Sequence, residues 1–169
     1  AGAGLLLLAL LEAKAEVVRS RVALVDGADA FEPTLASAHI RRHVLWLRCR
    51  GALQAVRAAD ILLRDGNVPR VLLDLQLCPL TGVRSIPAQS WHRLRLLAEK
   101  AGASLCAFTP EQTVPCAHSR LVLDVPLGMA ALDEPPAVLI KRLTGRSKLR
   151  NGSQRTPVLE TPGREGLTA

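Results

Sequence analysis

The chain has no tyrosine, only two phenylalanines and only two tryptophans. A core built without aromatic bulk must be packed from aliphatic side chains, and Leu, Ala and Val are abundant enough to supply it. Lysine is scarce, standing only at Lys14, Lys100, Lys141 and Lys148, so the net charge of +7 rests mainly on arginine. That balance favours polyanions or acidic protein partners; the plainer alternative is a protein from an Arg-rich proteome. The four cysteines, Cys49, Cys78, Cys106 and Cys116, include no C-x-x-C pair. A zinc ribbon or finger is thereby excluded, leaving reduced, packed thiols of a cytoplasmic protein. Long apolar runs are also missing. Leu5 to Leu11 is followed at once by Glu12, Lys14 and Glu16. It is too short to span a bilayer and lacks the basic flank and cleavage site of a signal peptide. The start at Ala1 rather than Met points to further sequence upstream.

What is present is a layered pattern. A chain of 169 residues fits one domain. Residues 4–18 favour a helix. Residues 21–26 read as a buried strand ending on Asp26. A turn closed by Pro33 leads to a short helix over 34–42, carrying His39, Arg41 and Arg42, and then to a strand from His43 to Cys49. Residues 51–65 form an amphipathic helix, with Leu53, Val56, Ala59, Ile61 and Leu63 near one side and Arg57, Asp60 and Arg64 more exposed. Residues 71–75 are a strand with Asp74 near its end, followed by a Pro- and Gly-containing loop from Cys78 to Pro87. Ser90 is placed to cap a helix from Trp91 to Ala101, which Gly102 closes. Strands follow at 104–109, ended by Pro110, and from Arg120 to Val125. This alternation predicts an α/β fold with a mostly parallel sheet flanked by helices, over residues 1–130. Residues 131–169 read as a linker and a disordered basic C-terminal tail. That tail carries Lys141, Arg142, Arg146, Lys148, Arg150 and Arg155.

Strands that bring carboxylates to one end of a parallel sheet suggest a nucleotide-binding core. The segment Val25-Asp-Gly-Ala-Asp-Ala-Phe-Glu-Pro33 is similar to the one that follows the second core strand of RecA recombinases. Val71-Leu-Leu-Asp74 resembles the Walker B strand. Ser104–Pro110 and Ser119-Arg-Leu-Val-Leu-Asp124 resemble the last core strands. The resemblance covers roughly residues 1–125 and implies a RecA-like sheet. Within that superfamily the chain most resembles the ImuA family, with which the helix Arg93–Gly102 and the following Ala-Ser-Leu also agree.

Where the resemblance breaks, the chemistry is lost. A P-loop needs backbone amides around phosphates, a Lys to reach them and a Ser or Thr on magnesium. Gly2 and Gly4 survive, but Leu5 and Leu6 stand where Lys and Ser/Thr belong. Ala28 matches the position of the catalytic glutamate, and Pro110 that of the γ-phosphate-sensing glutamine; neither can take up that work. Gly2, Gly4, Asp26 and Asp74 are therefore remnants of a nucleotide site. The expectation is a protein that is not an ATPase, with no cofactor and no metal. The loops that bind DNA in RecA are short here, at Gln76–Ser90 and 110–118. The plainer role for Asp26 and Asp74 is to cap nearby backbone or pair with arginine.

The ImuA resemblance implies an accessory protein of error-prone translesion synthesis in the bacterial response to DNA damage. Its partners would be the inactive Y-family polymerase relative ImuB and an error-prone replicative-type DNA polymerase, with DNA a further candidate. Two other functions fit the same superfamily: a recombinase-like ATPase whose P-loop lies upstream of Ala1, and a cell-division inhibitor. Trp91, Arg93 and Arg95 form a candidate contact surface, since Trp and Arg dominate interface hot spots; the plainer alternative packs Trp91 on the sheet. Lys141, Arg142, Arg146, Lys148 and Arg150 are candidates for nucleic acid or an acidic partner. The scattered His39, His43, His92 and His118 show no triad pattern and read as surface residues.

Overall fold

Four short apolar segments pair side by side in one direction. They are β1 (Val22–Asp26), β2 (Val44–Arg48), β3 (Arg70–Asp74) and β4 (Ser104–Phe108), in the order β2-β1-β3-β4, all parallel. The computed structural model describes residues 2–12, 21–123, 131, 133–142, 144–149 and 152–157. Two units divide the chain: Leu7–Ala117, and Ala1–Leu6 together with His118–Ala169.

In the Leu7–Ala117 unit, every residue of β1 is buried, and so are Val71, Leu72 and Leu73 of β3. Strands covered on both faces need continuous rather than alternating apolar sequence, which Val22-Ala-Leu-Val and Val71-Leu-Leu provide. Helices α3 (Ala52–Asp65) and α5 (Ala88–Ala101) lie side by side on the face that carries Ala23, Val25, Val71 and Leu73. Each helix ends on a left-handed glycine: Gly66 at φ 73° donates to Leu62 O, and Gly102 at φ 60° donates to Glu99 O. Glycine takes up this conformation without the strain a Cβ would bring. The 3-10 turn Pro33–Leu35 and α2 (Ala38–His43) connect β1 to β2, and α4 (Leu80–Arg84) precedes α5. Helix α1 (Ala3–Glu12) lies partly in each unit, and Leu7, Leu8 and Leu11 are buried.

Several expectations change. The core-facing stripe of α3 is Ala52, Ala55, Val56, Ala59, Leu62 and Leu63. Leu53 and Ile61, expected on that stripe, are instead 46% and 67% exposed. Ile61 sits two residues past Ala59, which places it on the opposite side of a helix with 3.6 residues per turn. Helix α5 starts three residues earlier than predicted, after Pro87, and Ser90 lies in its first turn, donating its amide to Pro87 O at 2.9 Å. The Cys78–Pro87 loop contains α4.

The Ala1–Leu6/His118–Ala169 unit holds β5 (Ser119–Leu123), α6 (Pro136–Lys141), β6 (Thr144–Leu149) and β7 (Gly152–Pro157). The strand expected from Arg120 to Val125 is β5, and it pairs antiparallel with β6 rather than extending the parallel sheet. Its burial is partial on both faces: the consecutive residues Leu121 and Val122, which point to opposite sides, are each 39% exposed. The stretch read as a linker contains α6, and the basic tail that follows contains the antiparallel pair β6–β7. Cross-strand backbone pairing orders sequence that is too polar to be noticed by composition. Residues 158–169 lie outside the described residues.

Candidate functional site

In an open parallel sheet, ligands bind beyond the carboxyl ends of strands, where the winding direction reverses. Here the chain leaves β1 for β2 on one side and returns to β3 on the other, so the reversal lies between β1 and β3. Their last residues, Asp26 and Asp74, are register partners at that point. The sequence places two carboxylates where an α/β protein would use them.

Their surroundings direct them elsewhere. Asp26 is 1% exposed. Its Oδ2 accepts the Phe31 amide at 2.8 Å and the Trp46 indole Nε1 at 3.4 Å, and its Oδ1 accepts the Ala28 amide at 3.2 Å. The carboxylate thus holds the turn that follows its own strand. Asp74 Oδ1 accepts the Gln76 amide at 3.0 Å. Burial pushes the Asp74 carboxyl up; the Gln76 amide bond opposes this, and the nearby Asp26 charge adds to the rise.

The space just past Asp26, at Gly27, is filled by the chain itself. Gly27 donates to Asp74 O at 2.8 Å, continuing the ladder one residue beyond β1. A Cβ on Gly27 would lie 2.8 Å from Cys78 Sγ, 2.8 Å from Leu75 Cδ2 and 2.9 Å from Asp74 O. Leu75 and Cys78 are both buried. The Cys78 thiol is pushed up by burial first and then by the Asp74 and Asp26 charges; Cys49 is raised by burial and by Asp26. Thiols held protonated are poor nucleophiles and poor metal ligands. Among the described residues, no group of three or more His, Cys, Asp or Glu side chains is arranged to hold a metal ion.

Beside this plug is an assembly that the sequence did not announce. Phe31 and Trp46 meet edge to face with centroids 5.5 Å apart. The Arg48 guanidinium lies 5.0 Å from the Trp46 ring centroid and makes a two-pronged pair with Asp29, at 2.5 and 2.8 Å. Asp29 adopts φ 54°, and the Arg48 hydrogen bond holds its carboxyl low. Half of the chain's aromatic residues are therefore spent on fastening the β1 turn to β2. The only sequence signal was the proximity of Phe31 to Asp26.

The remaining predicted residues scatter. Gly2 and Gly4 open α1 in the Ala1–Leu6/His118–Ala169 unit, where Leu6 N donates to Gly2 O at 3.0 Å. Leu5 is half-buried on that helix, and Ala28 is exposed in the β1 turn. Trp91 is not a contact surface: it is 3% exposed and packs in the core under α5, because it shares the inward face with Leu94 and Ala98. Arg93 and Arg95 do reach the surface. Arg93 Nε pairs with Asp60 at 2.6 Å, and Arg95 Nε lies 3.3 Å from Glu99 Oε1, an ion pair without hydrogen-bond geometry. Lys141 is exposed at the end of α6, and Arg142 pairs with Glu134 at 2.7 Å. Arg146 and Lys148 are on β6, in register with Arg155 and Ser153 of β7. Arg150 lies outside the described residues. Of the histidines, His43, His92 and His118 are exposed. Among the described residues no helix is long and apolar enough to cross a membrane. Neither a protein-family model nor a curated protein sequence matches this chain.

Proposed function

We propose that this chain is a RecA-like accessory protein without ATPase activity, acting as an adaptor in error-prone translesion synthesis. Its partners in this reading are the inactive Y-family polymerase relative ImuB and a replicative-type error-prone polymerase. The observation that carries it is the state of the switch-point carboxylates. Asp26 is committed to the Ala28 and Phe31 amides and the Trp46 indole, and Leu75 and Cys78 pack against Gly27 directly after it. A parallel sheet whose switch-point acid is spent on holding its own turn retains its outer surfaces for recognition. The order β2-β1-β3-β4 is compatible with a RecA-like core, and the family resemblance of the sequence supplies the biological setting.

Two measurements on the full chain test this. A fluorescent ATP analogue with magnesium should show no saturable binding at millimolar concentration, and the chain should co-elute with the ImuB-like partner in size-exclusion chromatography. Nucleotide binding that disappears in Asp74→Ala would overturn the non-catalytic assignment. Failure to co-elute would overturn the adaptor role.

A further inference from the structure

The surface of α3 and α5 has a composition that their packing on the sheet does not explain. Ile61 of α3 is 67% exposed and Leu96 of α5 is 57% exposed. Between these helices, Asp60 is gripped by two arginines, Arg64 Nη2 at 2.8 Å and Arg93 Nε at 2.6 Å. The Asp60 side chain is only 17% exposed, whereas those of Arg64 and Arg93 are 53% and 55% exposed. One half-buried carboxylate thus fixes two guanidiniums at the surface and leaves one positive charge in excess. Toward the C-terminal ends of the helices is a cavity of about 200 Å³, lined by Leu63, Arg64, Gly66, Leu97, Lys100 and Ala101. Its lining combines apolar side chains with the cations Arg64 and Lys100. It is smaller than the roughly 300–1,000 Å³ of small-molecule sites, and suits a single side chain better than a cofactor.

We infer that the groove between α3 and α5 is a docking site for an acidic amphipathic helix of a partner protein. An apolar side chain of the partner enters the cavity, and its carboxylates meet Arg64, Arg93 and Lys100. A helix laid into the groove between two others is a common mode of peptide recognition, with anchors at i, i+3 and i+4. Arginines already fixed by Asp60 lose less side-chain freedom on binding than mobile ones would. A second copy of this chain is a poor occupant, because it would set one cationic surface against another in a protein of net charge +7. Nucleic acid would use the cations but would gain little from Ile61, Leu96 and the apolar lining. The choice of a protein occupant rests on the adaptor reading and gives the partner's contacting segment a chemistry.

The test uses the full chain, isotopically labelled, and three probes. These are a synthetic helical peptide of Leu and Glu, about 20 residues or five to six turns long, its counterpart with Lys for Glu, and a single-stranded oligonucleotide. The acidic peptide should shift amide resonances of α3 and α5 saturably. Lys100→Glu and, separately, Leu96→Ser should each weaken it by about tenfold, through reversal of one rim charge or loss of one anchor. No saturable shift at millimolar peptide, shifts centred elsewhere, or equal binding of the lysine peptide would each overturn the proposal. So would an oligonucleotide that shifts α3 and α5 while the acidic peptide does not. Because no polymerase or nucleotide enters this experiment, its failure would remove the groove while leaving the co-elution and nucleotide tests of the adaptor to stand separately.

Discussion

The amide of Gly27 donates to the carbonyl of Asp74 at 2.8 Å, so the chain stays tied to the last residue of β3 one residue beyond the end of β1. This bond draws the β1 turn onto β3 and leaves no space for a side chain at position 27.

Gly27→Ala should therefore destabilise the protein by about 1–3 kcal/mol, the usual cost of overpacking. The new methyl would meet Cys78 Sγ, Leu75 Cδ2 and Asp74 O within 2.9 Å. Adding Cys78→Ala should restore part of the loss and no more, since the Asp74 carbonyl belongs to the backbone. Urea denaturation midpoints of the single and double variants measure both; a fully stable Gly27→Ala protein would mean the crevice has room.

Asp26→Ala should cost at least about 1–3 kcal/mol, because buried donors lose their acceptor together. The donors are the amides of Ala28 and Phe31 and the indole of Trp46. Asp26→Asn keeps one acceptor oxygen and should lie between alanine and the parent. Chemical denaturation orders the three proteins.

Asp74 responds to pH in the opposite sense to a salt-bridged acid. Its carboxyl is raised in the folded protein, chiefly by burial, above the ordinary value of 3.8. The folded state then binds the proton more tightly than the unfolded chain, and ionisation at neutral pH costs stability. Asp74→Asn should be more stable than the parent at pH 7. Its advantage should shrink as pH falls through the raised pKa toward 3.8. Stability curves of both proteins between these limits check the sign: an advantage that widens with acid would contradict it.

Trp91→Ala should lose about 3–5 kcal/mol, as expected for emptying an aromatic site in a core. Trp91→Phe should recover most of that and leave partner binding unchanged, since position 91 is 3% exposed. A Trp91→Phe protein that folds normally but no longer binds would put this residue back at the surface.

The sheet was legible because its strands are apolar throughout and end on conspicuous residues. Val22-Ala-Leu-Val-Asp26 and Val71-Leu-Leu-Asp74 need only burial on both faces to be recognised as parallel strands, and glycines at 66 and 102 mark where α3 and α5 stop. The site was half legible. The sequence located Asp26 and Asp74, but not the packing of Leu75 and Cys78 side chains against Gly27, which no spacing rule connects. The exposure of Ile61 is not legible from its apolarity, because half of the inward stripe is made of small alanines. The β6–β7 pair was missed because Thr144–Leu149 and Gly152–Pro157 are too polar to stand out, and their order comes from each other. The dipeptide Asn151-Gly152, whose glycine opens β7, is a turn signal in the sequence.

The two tryptophans occupy sites that report on different events. With no tyrosine in the chain, its intrinsic ultraviolet emission comes almost wholly from these two indoles. Trp91 sits in the interior under α5, so its spectrum follows loss of the core. Trp46 is half-buried, stacked against Arg48 and bonded to Asp26, so it follows release of the β1 turn. Replacing either one with phenylalanine turns the other into a single-site optical probe. The turn and the core can then be watched separately, and a loosening of the carboxylate end that precedes global unfolding would appear as two transitions instead of one.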